Sequence, residues 1–70
     1  MKKELTIALE KAIKKVEGKE NKQVLKDLLN KLEKCNNIYC HYIENRCLYW
    51  WLVDHQYIAK STIDSVGGGR

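Results

Sequence analysis

Proline is absent from the sequence, and glycine occurs only at Gly18 and in the run 67–69. Residues 19–66 therefore contain neither of the two residue types that most often interrupt regular secondary structure, which favours helix. A chain of 70 residues forms one domain at most. Because a domain this small buries only about 60% of the surface that its unfolded chain exposes, its core is marginal and a partner chain would add stability.

Apolar residues in the first part of the chain recur at helical spacing, which predicts an amphipathic helix over residues 3–17. The steps of four, three and four residues join Leu5, Leu9, Ala12 and Val16. Gly18 suits the position just past the end of this helix, where the backbone often turns left-handed. Asn21 is then the predicted N-cap of a second helix over about residues 21–35.

A heptad-like spacing begins in the second helix and continues far along the chain. The steps alternate between four and three residues through Leu25, Leu29, Leu32, Asn36, Tyr39, Ile43, Arg46, Trp50, Val53 and Tyr57. This pattern permits one long helix from about residue 22 to 60, or two helices separated by a turn. We favour a turn at Asn36-Asn37, because adjacent asparagines are a turn and cap signal.

The predicted fold is therefore all-α, as a small helical hairpin or three-helix bundle whose third helix spans about residues 37–64. Residues 1–66 are expected to form a single helical domain, and residues 67–70 a flexible C-terminal tail. A β-strand over Cys47–Val53 is the alternative, since its aromatic and branched residues suit a strand. Nothing else in the chain offers that strand a partner.

Charged and aromatic residues are segregated between the two halves of the chain. Residues 1–34 carry ten lysines and six acidic residues, whereas all six aromatic residues lie between residues 39 and 57. Nucleic-acid binding is an alternative function, with the predicted contacts Lys11, Lys14, Lys15 and Lys22. Acidic residues interrupt the lysines, however, and interleaved charges are typical of a solvated face.

The aromatic half is apolar on two sides of its predicted helix, which indicates a helix shared between a core and an interface. Residues that continue the heptad-like spacing are assigned to the core; they are Tyr39, Ile43, Trp50, Val53 and Tyr57. Residues off that spacing are assigned to a partner-binding surface; they are Leu48, Trp51, Leu52 and His55. Tryptophan and tyrosine are enriched at interface hot spots.

Neither a metal site nor a catalytic site is predicted, and we expect no cofactor. The three cysteines lack the C-x2-4-C spacing of structural zinc sites, and Cys40 and Cys47 would lie about 10 Å apart along a helix. The cysteines are predicted to be small buried residues in a reducing compartment. A Cys47–His41 nucleophile pair is disfavoured, because the two would lie about 120° apart around a helix.

The sequence predicts a soluble, cytoplasmic, non-catalytic binding protein that does not bind membranes. It starts with a charged amphipathic stretch, not a signal peptide, and its longest apolar run is the six residues 48–53. Its protein partner is a second copy, as in a homodimer, or a foreign protein that it binds or inhibits. The abundance of Lys, Asn, Ile and Tyr suggests an AT-rich genome, such as that of a phage or mobile element. A helical oligomer that sequesters a small ligand is a further alternative.

Overall fold

The computed structural model describes residues 2–66, and these residues form five helices with no β-strand among them. The helices are α1 (Lys2–Lys15), α2 (Lys19–Lys34), α3 (Ile38–Glu44), α4 (Arg46–Asp54) and α5 (Lys60–Ser65). The predicted all-α class is confirmed, and the alternative strand over residues 47–53 is wrong because those residues lie in α4. The predicted flexible tail, residues 67–70, lies outside the described residues.

The helices α1 and α2 form a hairpin whose connection is set by Gly18. This residue has a φ of 91°, which residues with a side chain rarely adopt, and it is the N-cap of α2. The second helix therefore begins at Lys19, before the predicted N-cap Asn21. The Nζ atom of Lys2 donates to the carbonyl oxygens of Glu33 and Cys35, each at 3.0 Å, which ties the start of α1 to the end of α2.

The predicted turn at Asn36-Asn37 is confirmed, and a cap at Asn37 explains it. The Oδ1 atom of Asn37 accepts a hydrogen bond from the backbone N–H of Cys40 at 3.2 Å. This bond satisfies one of the N–H groups that the first turn of a helix leaves without an internal partner. The same segment is held from the other side by Cys35, whose thiol donates to the carbonyl oxygen of Asn37 at 2.8 Å.

The predicted third helix over residues 37–64 is wrong, because the chain breaks twice within that range. Asn45 has a φ of −117° and a ψ of 20°, and it separates α3 from α4. A second break follows α4, where Gln56 adopts a φ of 62°. The N–H of Tyr57 then donates to the carbonyl oxygen of Leu52, and that of Gln56 to Val53. This is the Schellman arrangement that usually carries glycine at the left-handed position.

The core draws side chains from all five helices and the segments between them. The stripe predicted on the first helix is confirmed, since each of its four residues is at most 2% exposed. From α2, α3 and α4 the buried apolar residues are Leu25, Leu28, Leu32, Tyr42, Tyr49, Trp50 and Leu52. Ile58, Ile63 and Val66 close the core from the C-terminal part.

Two hydrogen bonds between buried side chains cross the break at Asn45. The Nε1–H of Trp50 donates to the hydroxyl of Tyr42 at 2.7 Å, and the hydroxyl of Tyr49 lies 2.7 Å from Nε2 of His41. Each pair joins residues eight apart in sequence, one from α3 and one from α4. Polar atoms buried without partners are costly, so this pairing allows four large polar residues to enter a small core.

Burial shifts the ionisation of the second pair towards its neutral form. Desolvation lowers the pKa of His41 below its ordinary 6.5, with Glu44 acting to raise it and Lys31 to lower it. Burial likewise raises the pKa of the Tyr49 hydroxyl well above its ordinary 10.0, with a smaller contribution from Cys35. Both side chains are therefore uncharged at neutral pH, as a hydrogen bond inside an apolar core requires.

Replacing the capping residue should destabilise the protein, whereas replacing its neighbour should not. We expect Asn37→Ala to reduce the free energy of unfolding by about 1 kcal/mol, because the N–H of Cys40 loses its acceptor. The matched control is Asn36→Ala, which removes an exposed asparagine with no capping role. Urea denaturation measures both. Equal effects of the two substitutions would contradict the assigned cap.

The buried histidine should make stability fall as the pH falls below neutrality. The unfolded chain takes up a proton near its ordinary pKa of 6.5, while folded His41 resists protonation. The stability that neutral His41 contributes is therefore complete above pH 6.5. It is lost as the pH falls from there towards the lower pKa of the folded state, with a slope of at most about 1.4 kcal/mol per pH unit.

Thermal melting between about pH 7.5 and 5.5 measures this dependence. His41→Gln should flatten the curve while lowering it throughout, because the variant cannot titrate there. His55→Gln is the control, since His55 is exposed and lies outside the core. An unchanged slope in His41→Gln, or a slope lost in His55→Gln, would show that His41 is not the titrating group.

Candidate functional site

The predicted partner-binding residues are divided by the structure between the surface and the core. Leu48 and Trp51 are half-buried, and His55 is exposed. Leu52 is 0% exposed, so its assignment to the interface is wrong. It is buried together with Tyr49 and Trp50, because the buried side of α4 is wider than the single stripe that the heptad-like spacing predicts.

Trp51 and Leu48 line a groove between α4 and α2. Its other lining residues are Asn21, Val24 and Leu25, and its volume is about 190 Å³. Val24 is 47% exposed. Four of the five lining residues are apolar, and none of them is charged. The groove is thus a surface on which apolar side chains of two helices meet.

Three aromatic rings stand together at one end of this groove. The ring of Trp51 lies 4.3 Å from that of His55 and 5.7 Å from that of Tyr57, and the rings of His55 and Tyr57 are 6.0 Å apart and nearly parallel. The Nδ1–H of His55 donates to the carbonyl oxygen of Trp51 at 2.9 Å. We call the set Val24, Leu48, Trp51, His55 and Tyr57 the aromatic surface.

This surface is ordered by its own contacts. Trp51 is held between ring neighbours, and the backbone bond of His55 fixes that ring over it. A side chain that is already fixed loses little conformational entropy on binding, so more of its contact energy appears as affinity. The arrangement suits recognition of an apolar side chain from another molecule.

The core assignments of Tyr39 and Ile43 are wrong, since these residues are 55% and 45% exposed. The buried residues of α3 are His41 and Tyr42 instead. The turn at Asn36-Asn37 restarts the helix in a different rotation, so the heptad-like spacing does not continue across it. Trp50 was assigned correctly, because it is 8% exposed and lies in the core cluster.

The four lysines predicted as nucleic-acid contacts do not converge on one concave surface. Lys11 and Lys15 line the same cavity, of about 280 Å³, whereas Lys14 and Lys22 are not among its lining residues. Glu4 lies in that same lining. Lys22 is half-buried on α2, while the other three lysines are exposed on α1. The structure thus places two of the four predicted contacts together.

The cysteines differ from the prediction of small buried residues. Cys40 and Cys47 are exposed, Cys35 is half-buried, and all three are free. Within residues 2–66, no group of three or more His, Cys, Asp and Glu side chains is placed to hold a metal ion. Cys47 lies at the surface while His41 is bonded to Tyr49 in the core.

Two members of the aromatic surface were not predicted as contact residues: Tyr57, which was assigned to the core and is half-buried, and Val24. Val24 directly precedes Leu25 and lies off the spacing that fills the core, as do Leu48 and Trp51. The sequence signal for Val24 as a contact residue is that it is apolar and lies outside the buried stripe of an amphipathic helix. Among the described residues, no helix is both long enough and apolar enough to cross a membrane.

No protein-family model matches the chain, and neither characterised proteins nor solved structures show significant similarity to it. Its function is therefore inferred from the chemistry of its own surfaces. The feature with the clearest chemical character is the aromatic surface, where an ordered tryptophan borders an uncharged groove.

Proposed function

We propose that this chain is a non-catalytic protein-binding module that associates through its aromatic surface, with a second copy of itself as the partner. The observation that carries the proposal is the position of Trp51, which is held by ring contacts beside a groove lined by Val24, Leu25 and Leu48. Tryptophan in such a setting is the side chain most often found to dominate binding energy at protein interfaces.

The size of the groove favours an inserted side chain over a small-molecule ligand. Its volume of about 190 Å³ lies below the roughly 300–1,000 Å³ that is typical of small-molecule sites. A groove of this size and lining accommodates a single apolar side chain. The exposed Val24 at its edge is itself such a side chain.

Self-association also suits the distribution of charge. The chain carries a net charge of +4, so most pairings of two copies would bring lysines together. The groove residues Asn21, Val24, Leu25, Leu48 and Trp51 carry no charge, so this surface can face itself without repulsion at its centre. In a two-fold dimer the same patch serves both subunits, and Val24 of each copy would contact Trp51 of the other.

Replacing Trp51 should abolish association and leave the fold of each chain in place. For the wild-type chain we expect a mass of twice 8.2 kDa by light scattering at micromolar concentration. Trp51→Ala should weaken the dimer by at least about 2 kcal/mol, or roughly 30-fold, as hot-spot residues do. The matched control is Tyr39→Ala, which removes an exposed aromatic side chain outside the aromatic surface.

The neighbouring tryptophan should behave in the opposite way. Trp50→Ala is expected to cost about 3–5 kcal/mol of folding free energy, since it empties a buried site and leaves the hydroxyl of Tyr42 without its donor. Melting temperatures measured over a range of protein concentrations separate loss of folding from loss of association. A wild-type mass of 8.2 kDa at all concentrations, or normal association of Trp51→Ala, would contradict the proposed function.

A further inference from the structure

A second concave region lies away from the aromatic surface and is polar in character. It has a volume of about 520 Å³ and spans the end of α2, the turn at residues 35–37, and α3 as far as Asn45. The lining residues on which its chemistry depends are Lys31, Asn37, His41 and Glu44. This volume lies within the roughly 300–1,000 Å³ range of small-molecule sites.

The hydrogen bond of His41 determines which atom the ring presents to this cavity. The hydroxyl of Tyr49 is buried, and among residues 2–66 its hydrogen-bond partner is Nε2 of His41 alone. A buried hydroxyl with one hydrogen-bond partner leaves its proton unsatisfied unless it donates to that partner, so we assign Tyr49 as the donor and Nε2 as the acceptor. In this neutral tautomer the ring proton is on Nδ1.

The ring of His41 lines the cavity, and its Nδ1 is the nitrogen that the bond to Tyr49 leaves without a partner among the described residues. His41 is only 4% exposed, and its ring lines the cavity wall. Nδ1 has no hydrogen-bond partner among the described residues, yet none of their fully buried side-chain nitrogen and oxygen atoms lacks one. Nδ1 therefore accounts for part of the residual exposure of the ring. A well-ordered donor is thus available to an oxygen acceptor in the cavity.

Two opposite charges border the same donor. Lys31 and Glu44 both line the cavity, and both act electrostatically on His41. Within the described part of the chain no ion pair joins these two side chains. An anion in the cavity would be attracted by the ammonium of Lys31 and repelled by the carboxylate of Glu44. A cation would be attracted by Glu44 and repelled by Lys31. A molecule with both charges gains from both side chains.

We propose that this cavity binds a small zwitterion of the α-amino acid class. The ligand carboxylate accepts from Nδ1–H of His41 and from the ammonium of Lys31, while the ligand ammonium donates to the carboxylate of Glu44. Charge-assisted hydrogen bonds of this kind are about twice as strong as neutral ones. This site is independent of the aromatic surface and of the association proposed there.

Nuclear magnetic resonance titration of the full chain with glycine tests this assignment. We expect saturable shifts of the backbone amides of Asn37, His41 and Glu44, with a dissociation constant on the order of 1 mM, as suits a ligand of few atoms in an open site. Acetate and methylammonium, at matched ionic strength, each carry one of the two charges. Both should bind at least about tenfold more weakly than glycine.

A pair of matched variants identifies the ammonium contact. Glu44→Gln should weaken glycine about tenfold and leave acetate binding unchanged or tighter, because only the attraction for the ligand ammonium is lost. Glu33→Gln is the control, since it neutralises an exposed acidic residue of α2 that does not line the cavity. Both substitutions are at exposed positions, and the amide spectra report whether each variant is folded.

Several outcomes would overturn the proposal. These are the absence of saturable glycine shifts at the cavity, shifts confined to the aromatic surface, and acetate binding as tightly as glycine. A folded Glu44→Gln variant that binds glycine with wild-type affinity would also overturn the proposal. None of these results depends on whether the chain is a dimer, so the zwitterion site and the proposed self-association fail separately.

Discussion

The two hydrogen-bonded pairs between α3 and α4 are the interactions on which the rest of this structure depends. His41 with Tyr49 and Tyr42 with Trp50 bring four large rings into the centre of a 70-residue chain. Each ring supplies apolar area that a small core needs, and each has a polar atom that could not be buried alone. Because these polar atoms bond to one another, the apolar area of all four rings can be buried. The break at Asn45 brings each pair together, because residues eight apart along an unbroken helix would lie about 12 Å apart along its axis.

The same pairing places Trp50 in the core and Trp51 at the surface, and both proposed binding surfaces depend on it. With Trp50 fixed inwards by Tyr42, the adjacent tryptophan is turned towards α2 and borders the groove with Val24. With Tyr49 bonded to Nε2 of His41, the other nitrogen of that ring stays without a described partner, and the ring lines the polar cavity. The aromatic surface and the proposed zwitterion site thus both depend on one core arrangement.

The sequence predicts the first half of the fold well and the second half poorly, for a physical reason. The α1 stripe and the turn at Asn36-Asn37 leave direct signals, namely helical spacing of apolar residues and a capping side chain. The break at Gln56 leaves no such signal, because the position carries neither glycine nor proline, and the break at Asn45 is marked only by a single asparagine. Gln56 adopts a left-handed conformation that costs a residue with a side chain about 1 kcal/mol, and packing of the following Tyr57 and Ile58 offsets it.

This difference explains which site residues were predictable. Leu48, Trp51 and His55 were assigned to the surface because they lie off the apolar spacing, and the structure leaves them half-buried or exposed. Leu52 was misassigned because the buried side of α4 includes Tyr49, Trp50 and Leu52, a wider set than one apolar stripe. His41 was passed over because its partner Tyr49 lies across a break that the sequence marks only with a single asparagine.

The central claim is that Trp50 lies in the core and Trp51 at the surface. Hydrogen exchange of the two indole N–H groups tests it most directly, because nuclear magnetic resonance resolves each of them in the unmodified protein. Nε1–H of Trp50 is buried and bonded to Tyr42, so we predict that it exchanges only as fast as the core unfolds. Trp51 is half-buried, and its indole N–H should exchange much faster, at a rate that dilution of the protein increases if the aromatic surface is an interface. Fast exchange of both indoles, or protection of Trp51 in place of Trp50, would contradict this account of the core.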